Sequence, residues 1–94
     1  MKKLAKNTTY VVVMHKGFDG YNMYVRVVNA YKITNGKRTY LPMEQERVAY
    51  YTNETKVARE YMGRIGYNVD GYLSDYENLV VFSTEVKYKQ LKNS

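Results

Sequence analysis

The first third of the chain alternates side chains in the way that is typical of β-strands. Residues 8–15 (TTYVVVMH) carry apolar groups on both faces, which predicts a central strand. Residues 17–20 (GFDG) predict a hairpin loop, and residues 21–33 predict a long second strand. In this second strand, strict alternation assigns Met23, Val25, Val27, Tyr31 and Ile33 to the core side, and Tyr24, Arg26, Val28, Ala30 and Lys32 to the far side.

A second hairpin is predicted by Asn35-Gly36, because both residues tolerate the positive φ that a type I′ turn requires. Residues 37–41 then return as a third strand, which Pro42 ends because proline lacks the N–H of a ladder hydrogen bond. The stretch after this proline fits two interpretations. The proline and two glutamates of residues 42–46 suit the first turn of a helix, whereas residues 47–52 suit a strand, which is the preferred interpretation.

Helical periodicity follows from residue 53 onward. Thr52 or Asn53 is expected to cap the N-terminus of this helix, and Gly66 is expected to end it. The helix is predicted to be amphipathic, because one stripe at helical spacing carries Val57, Ala58, Tyr61, Met62 and Ile65.

A last strand is predicted over residues 78–88, where Val80, Phe82, Val86 and Tyr88 share one side. The succession ββββαβ predicts an α+β fold: an antiparallel β-meander of four to five strands, with one amphipathic helix packed on one face as a two-layer sandwich. A chain of 94 residues has the size of one domain. We therefore expect residues 1–94 to form a single domain with short lysine-rich tails at residues 1–7 and 89–94.

The net charge of the chain is weaker evidence for an anionic partner than its size suggests. Fifteen Lys and Arg against nine Asp and Glu leave a net charge of +6, which favours an anionic partner. Six of the basic residues, all lysine, belong to the two ends of the chain, so residues 7–86 are neutral overall. All five arginines lie in this neutral body, where their planar heads offer directed, bidentate hydrogen bonds.

Catalytic chemistry is not indicated by any motif. The absence of cysteine excludes disulfides and a thiol nucleophile. His15 is the only histidine and has no carboxylate near it in sequence, and the acidic residues Asp70, Asp75 and Glu77 do not follow calcium-loop spacing. We therefore expect no enzyme activity, no metal and no cofactor. The apolar runs are too short to span a bilayer, and a cytoplasmic location is expected.

Tyrosine is the unusual component, with twelve copies. If the helix covers the sheet face that bears Val25, Val27 and Phe82, the far face presents tyrosines and cations, which protein interfaces concentrate. The alternative is a solvated face whose tyrosines fill space between strands. The predicted binding-surface residues are Tyr24, Arg26, Lys32, Arg47, Tyr51 and Lys87 on the sheet, with Arg59 and Arg64 on the helix.

Two functions are compatible with such a surface. In its small size, lack of cysteine and AT-leaning composition, the chain resembles the small proteins with which phages and mobile elements act against host enzymes. This resemblance implies a non-catalytic inhibitor that binds a protein partner, a nucleic-acid-handling enzyme, as anti-defence or anti-CRISPR proteins do. The alternative is a module that binds DNA or RNA directly through the sheet face and the lysine tails.

Overall fold

The computed structural model describes residues 2–18, 20–43, 49–50, 53–69 and 76–85. They form a mixed five-stranded sheet with one helix packed on one face, which confirms the predicted α+β class. No helix among these residues is long and apolar enough to cross a membrane. The elements are β1 (Thr8–Phe18), β2 (Met23–Thr34), β3 (Lys37–Tyr40), β4 (Ala49–Tyr50), α1 (Glu54–Arg64) and β5 (Leu79–Glu85).

The sheet has the strand order β3-β2-β1-β5, and only its first three strands form an antiparallel meander. The short strand β4 pairs with β2 rather than with β3, so β3 and β4 occupy two stretches of the same edge of β2. From this edge the chain passes through α1 to the opposite edge, where β5 pairs with β1 in parallel. The closing strand therefore makes the sheet mixed instead of antiparallel throughout.

A β-bulge interrupts the alternation of β2. Val13 of β1 pairs with Asn29, but the next residue of β1, Met14, pairs with Val27. Val28 is thus an extra residue without a partner on β1. One inserted residue exchanges the two faces of everything that follows it in the strand.

The faces predicted for the second half of β2 are consequently wrong. Ala30 was expected to face away from the core, yet its side chain is fully buried in it. Lys32 pairs with the core residue Tyr10 and so belongs to the helix side of the sheet. Tyr31 and Ile33 lie on the opposite side instead of in the core. Val25 and Val27 precede the bulge, and their assignment to the core side is confirmed.

The helix begins and ends at residues that the sequence predicts as its caps. The side chain of Asn53 accepts a hydrogen bond from the backbone N–H of Lys56 at 2.9 Å, which satisfies a free donor of the first turn. Gly66, at φ 104°, ends the helix in a Schellman arrangement, in which the N–H of Tyr67 donates to the carbonyl of Met62 at 2.8 Å. The predicted apolar stripe is confirmed, since Val57, Ala58, Tyr61 and Met62 are all buried.

The core lies between α1 and one face of the sheet. Burying a side chain of the size of leucine or methionine contributes about 1.5–3 kcal/mol to the free energy of unfolding, so this layer supplies most of the hydrophobic stabilisation. The buried apolar residues that form it are Tyr10, Val12, Met14, Val25, Ala30, Leu41, Val57, Ala58, Tyr61, Met62, Val69 and Leu79.

Residues 2–7 are tied to the body of the domain rather than extended from it. The backbone N–H of Lys2 donates to Gly66 at 2.9 Å, and its carbonyl accepts from Asn68 at 2.7 Å. Leu4 packs against the core, and the carbonyl of Ala5 accepts a hydrogen bond from the Asn78 amide. The side chains of Lys2, Lys3 and Lys6 in this segment are exposed.

Candidate binding surface

The side of the sheet opposite α1 is the candidate functional surface, and we call it the open face. No other described helix or strand lies over it. Cross-strand pairing arranges its side chains in rows across the sheet. In order along the strands, the rows are Arg38 with Ile33; Tyr40 with Tyr31, Val11 and Val80; Asn29 with Val13 and Phe82; Arg26 with His15; and Tyr50 with Tyr24.

Phe82 lies on the open face, although it was expected to lie beneath the helix. The parallel register of β5 sets Val81 beside Val12, so Val81 packs on the core and Phe82 points to the other side. Its side chain is 53% exposed, which is unusual for a phenylalanine in a sheet. This residue extends the aromatic surface to the β5 edge of the sheet.

At the β3 side of the open face, an arginine and two tyrosines form one cluster. The guanidinium carbon of Arg38 lies 4.1 Å from the centre of the Tyr31 ring, within the range of a cation–π interaction. The Tyr40 ring approaches Tyr31 edge-on, with 6.1 Å between ring centres and 72° between the planes. Tyr31 is thereby held from two sides, while Tyr40 remains 63% exposed.

A second aromatic pair lies at the hairpin end of the open face. The rings of His15 and Tyr24 are stacked with 6.2 Å between their centres and 27° between their planes. Tyr24 also lies over Gly17, where the missing Cβ leaves room for its ring. Tyr50 is the cross-strand partner of Tyr24. The histidine therefore packs as part of an aromatic surface.

Among the described residues, the charge on the open face has one sign. Arg26 and Arg38 are its cations, and none of the described side chains on this face is a carboxylate. Glu54 belongs to the helix layer, where its carboxylate lies 2.9 Å from the Lys16 ammonium. The hydrogen bond from Lys16 holds the pKa of Glu54 below its ordinary value, so this carboxylate is ionised at neutral pH.

The structure brings together part of the predicted binding surface. Tyr24 and Arg26 share the open face, as expected. Lys32 lies on the helix side because of the bulge, and Arg59 and Arg64 belong to α1 on the same side. Arg47, Tyr51 and Lys87 lie outside the described residues.

The sequence interpretation missed the cluster around Tyr31. A type I′ turn at Asn35-Gly36 fixes the register of the hairpin that it closes, with Thr34 opposite Lys37. That register alone places Arg38 beside Ile33 and Tyr40 beside Tyr31. The signal for this cluster was therefore present in the turn, but the side of the sheet on which it lies depends on the bulge.

The cavity beside α1 offers little room for a substrate. The space between α1 and the edge of β2 measures about 30 Å³, enough for a single water molecule and far below the roughly 300–1,000 Å³ of ligand pockets. A larger hollow of about 710 Å³ beside Lys3, Lys6 and Tyr76 lies within that size range and is a partly open groove at the surface. Within the described ranges, no three His, Asp or Glu side chains are grouped as metal ligands.

Comparison with known proteins identifies no relative of this chain. No family model, no curated protein and no solved structure matches the chain. A functional proposal therefore rests on the geometry and chemistry of the open face.

Proposed function

We propose that this protein is a non-catalytic binding protein whose open face docks on an acidic surface of a protein partner. The observation that carries the proposal is the composition of that face: exposed aromatic rings with Arg26 and Arg38, and no carboxylate among its described side chains. Tyrosine and arginine supply much of the energy in protein interfaces, because each combines large contact area with directed hydrogen bonds. A partner with carboxylates at matching positions complements this face in charge.

The dimensions of the open face are adequate for such a contact. Four strands at a spacing of about 4.8 Å span roughly 19 Å, and the stretch from Thr9 to Gly17 spans roughly 26 Å at about 3.3 Å per residue. This area, roughly 500 Å² before side-chain relief is counted, is a large part of the ~800 Å² that each partner buries in a standard interface. The hairpin end beside it can supply the rest, because Phe18 and Tyr21 there are 62% and 89% exposed.

The aromatic side chains on this face are held in place before any partner binds. Tyr31 is packed between Arg38 and Tyr40, and Tyr24 is packed against His15 and Gly17. A side chain that is already ordered loses less conformational entropy on association, a saving of about 0.5–1.5 kcal/mol for each one. This pre-organisation favours binding by a rigid surface.

The test compares three forms of the protein as bait in a nuclease-treated bacterial lysate. The Arg26→Glu/Arg38→Glu variant reverses the two cations found among the described residues of the open face. The Lys3→Glu/Lys56→Glu variant is the matched control, since it changes the net charge equally at exposed positions away from that face. We expect a protein captured by the wild type and by the control to be lost by the open-face variant, with circular dichroism unchanged in all three.

Equal capture by all three forms would contradict the proposal.

For a partner found in this way, inhibition is a separate proposal: the partner is a nucleic-acid-handling enzyme and the contact blocks its activity. Titrating the wild type and the Arg26→Glu/Arg38→Glu variant into an assay of the partner tests this step. Inhibition by the wild type alone is expected, and a partner that remains fully active when saturated excludes inhibition without excluding binding.

A second candidate function is direct binding of single-stranded nucleic acid. The cluster of Arg38, Tyr31 and Tyr40 favours it, because bases stack on aromatic rings and arginine heads with about 1–3 kcal/mol per base. Fluorescence anisotropy with a labelled random oligonucleotide tests it. Affinity should fall steeply with salt concentration, and a lack of binding at low salt would exclude this function.

The contribution of the N-terminal lysines to nucleic-acid binding is tested by substitution rather than by truncation. Removing residues 1–7 would also remove the backbone bonds of Lys2 and the packing of Leu4. Replacing Lys2, Lys3 and Lys6 with glutamine removes the charges and keeps those contacts. Binding lost in this variant alone would be nonspecific phosphate attraction, whereas binding lost only in Arg26→Glu/Arg38→Glu would belong to the open face.

A further inference from the structure

The two edges of the sheet differ in how they are protected against pairing with another chain. At one edge, β3 has four residues, two of them cationic, and Pro42 follows shortly after it. Short length, charge and proline are the features that keep edge strands from associating. At the other edge, β5 has seven residues, and its sequence LVVFSTE contains no proline and no cation.

The outer side of β5 has backbone groups that no described strand pairs with from Val81 onward, whereas the N–H of Leu79 donates to the carbonyl of Tyr76 at 3.3 Å. Its register with β1 runs without a bulge from Leu79 to Glu85, and no described strand pairs with its other side. The N–H of Tyr10 donates to the carbonyl of Asn78 at 2.7 Å, so the backbone groups of Asn78 point toward β1. Because successive residues of a strand point to opposite edges, Val80 and Phe82 also bond toward β1, whereas Val81 and Ser83 present their N–H and C=O groups outward.

We infer that β5 pairs antiparallel with β5 of a second copy of this chain about a two-fold axis. The strand is centred on Phe82, so full overlap of the two strands sets Val81 of each copy opposite Ser83 of the other. Both are outward-facing residues, and they exchange their backbone hydrogen bonds as a closely bonded pair. In the register that overlaps the two strands fully, the outward backbone groups of Val81 and Ser83 are therefore complementary to those of the second copy.

Side chains support the same register. The two copies of Phe82 become direct neighbours in a non-hydrogen-bonded pair, with Cα atoms about 4.5 Å apart, where aromatic cross-strand pairs stabilise a sheet. Each ring is 53% exposed in the single chain and is covered in the pair. The two rings lie on the open face, so the two open faces join into one continuous surface. This inference does not depend on the proposed function of that face.

Local charge at this edge does not oppose the pairing of two copies. From Leu79 to Thr84 the strand has no ionisable residue, and Glu85 comes to lie opposite Leu79. The two glutamates are therefore at opposite ends of the paired strands, roughly 20 Å apart. The net charge of +6 on each copy opposes association, so added salt should strengthen the dimer by screening this repulsion. Binding of an anionic partner would respond to salt in the opposite direction.

The experiment is sedimentation velocity on the full chain at about 0.1 M and about 0.5 M NaCl, conditions that differ in screening length. We expect the mass to rise from 11.1 kDa toward twice that value with concentration, and to do so at lower concentration in the higher salt. Ser83→Pro removes only an outward N–H and should weaken the dimer about tenfold or more. The matched control Ser83→Ala keeps the N–H and should dimerise as the wild type does.

A wild type that remains monomeric in both salts overturns the inference; an edge reserved for an extended segment of another protein would give this result. A folded Ser83→Pro variant that still dimerises would assign the dimer to another surface. If Ser83→Ala weakens dimerisation as much as Ser83→Pro does, the loss of the side chain, and not the loss of the N–H, would be the cause. If Ser83→Pro fails to fold, Phe82→Lys replaces it by placing two like charges directly across the axis. We expect that variant to be a folded monomer, and a dimer would again overturn the inference.

Discussion

Tyr24 and Gly17 are cross-strand neighbours, and the tyrosine ring occupies the space that a Cβ at residue 17 would take. Gly17 is buried within a regular strand and has no positive φ, so its role is to permit close approach of the ring. The ring in turn stacks on His15. A glycine beside a hairpin loop thus determines where an aromatic group of the open face lies.

The first prediction concerns this pair. Gly17→Ala should force the ring off its position and cost about 1 kcal/mol of unfolding free energy, because the added methyl meets the far end of the tyrosine side chain. In a Tyr24→Ala background the same change should be neutral or slightly stabilising, since alanine has less backbone entropy to lose than glycine. Denaturant titrations of the four proteins measure the coupling. Equal effects of Gly17→Ala in both backgrounds would contradict the contact.

The second prediction concerns the bulge at Val28. Deleting this residue should leave a folded domain, because Val27 and Asn29 then follow each other directly and keep their partners Met14 and Val13 on the same two faces. Ala30 would remain in the core, and Tyr31 would remain on the open face. Val28→Ala is the control and should cost about 1 kcal/mol or less, since the side chain is 39% exposed. Thermal melts followed by circular dichroism compare the two, and an unfolded deletion variant would contradict the assignment of Val28 as the extra residue of the bulge.

The third prediction concerns the helix cap. Asn53→Ala removes the acceptor for the Lys56 N–H and should lower the unfolding free energy by about 1 kcal/mol. Asn53→Asp keeps an acceptor at this position and should retain most of the stability. Urea denaturation of both variants tests this. Similar losses in the two would mean that the side-chain oxygen does not stabilise the helix.

The fourth prediction is a pH dependence that originates in Glu54. Its pKa lies below the ordinary value of 4.5, chiefly because of the hydrogen bond from Lys16. A carboxyl whose pKa is lowered by folding stabilises the protein above its unfolded-state pKa, and this stabilisation is lost as the pH falls through the folded-state value. For a partly exposed pair we expect a coupling of a few tenths of a kcal/mol near pH 7.

A double-mutant cycle with Lys16→Met and Glu54→Gln measures that coupling. It should be present at neutral pH and should vanish once the pH has fallen below the lowered pKa of the folded chain, where the carboxyl is protonated in both the folded and the unfolded chain. High salt should reduce it as well, because both side chains are partly exposed. A coupling that persists unchanged at low pH would assign the contact between the two side chains to packing instead of charge.

The sequence by itself determined the features that depend on neighbouring residues along the chain. The turn at Asn35-Gly36, the cap at Asn53 and the stop at Gly66 each follow from the backbone angles or side-chain acceptors of residues within a few positions. The buried stripe of α1 follows from the spacing of its apolar residues, and the order of strands and helix follows from the change between the two periodicities. These local rules were sufficient for the α+β class.

Only the tertiary structure decided which residues share the open face. The bulge at Val28 becomes visible only when β2 is paired with β1, and it moves Tyr31 to the open face and Lys32 away from it. The position of Phe82 likewise depends on the parallel pairing of β5 with β1, strands that are far apart in sequence. The alternation of side chains along one strand defines two faces, but pairing with other strands decides which of them the helix covers. The functional surface was therefore less predictable than the fold, because it depends on contacts between distant residues.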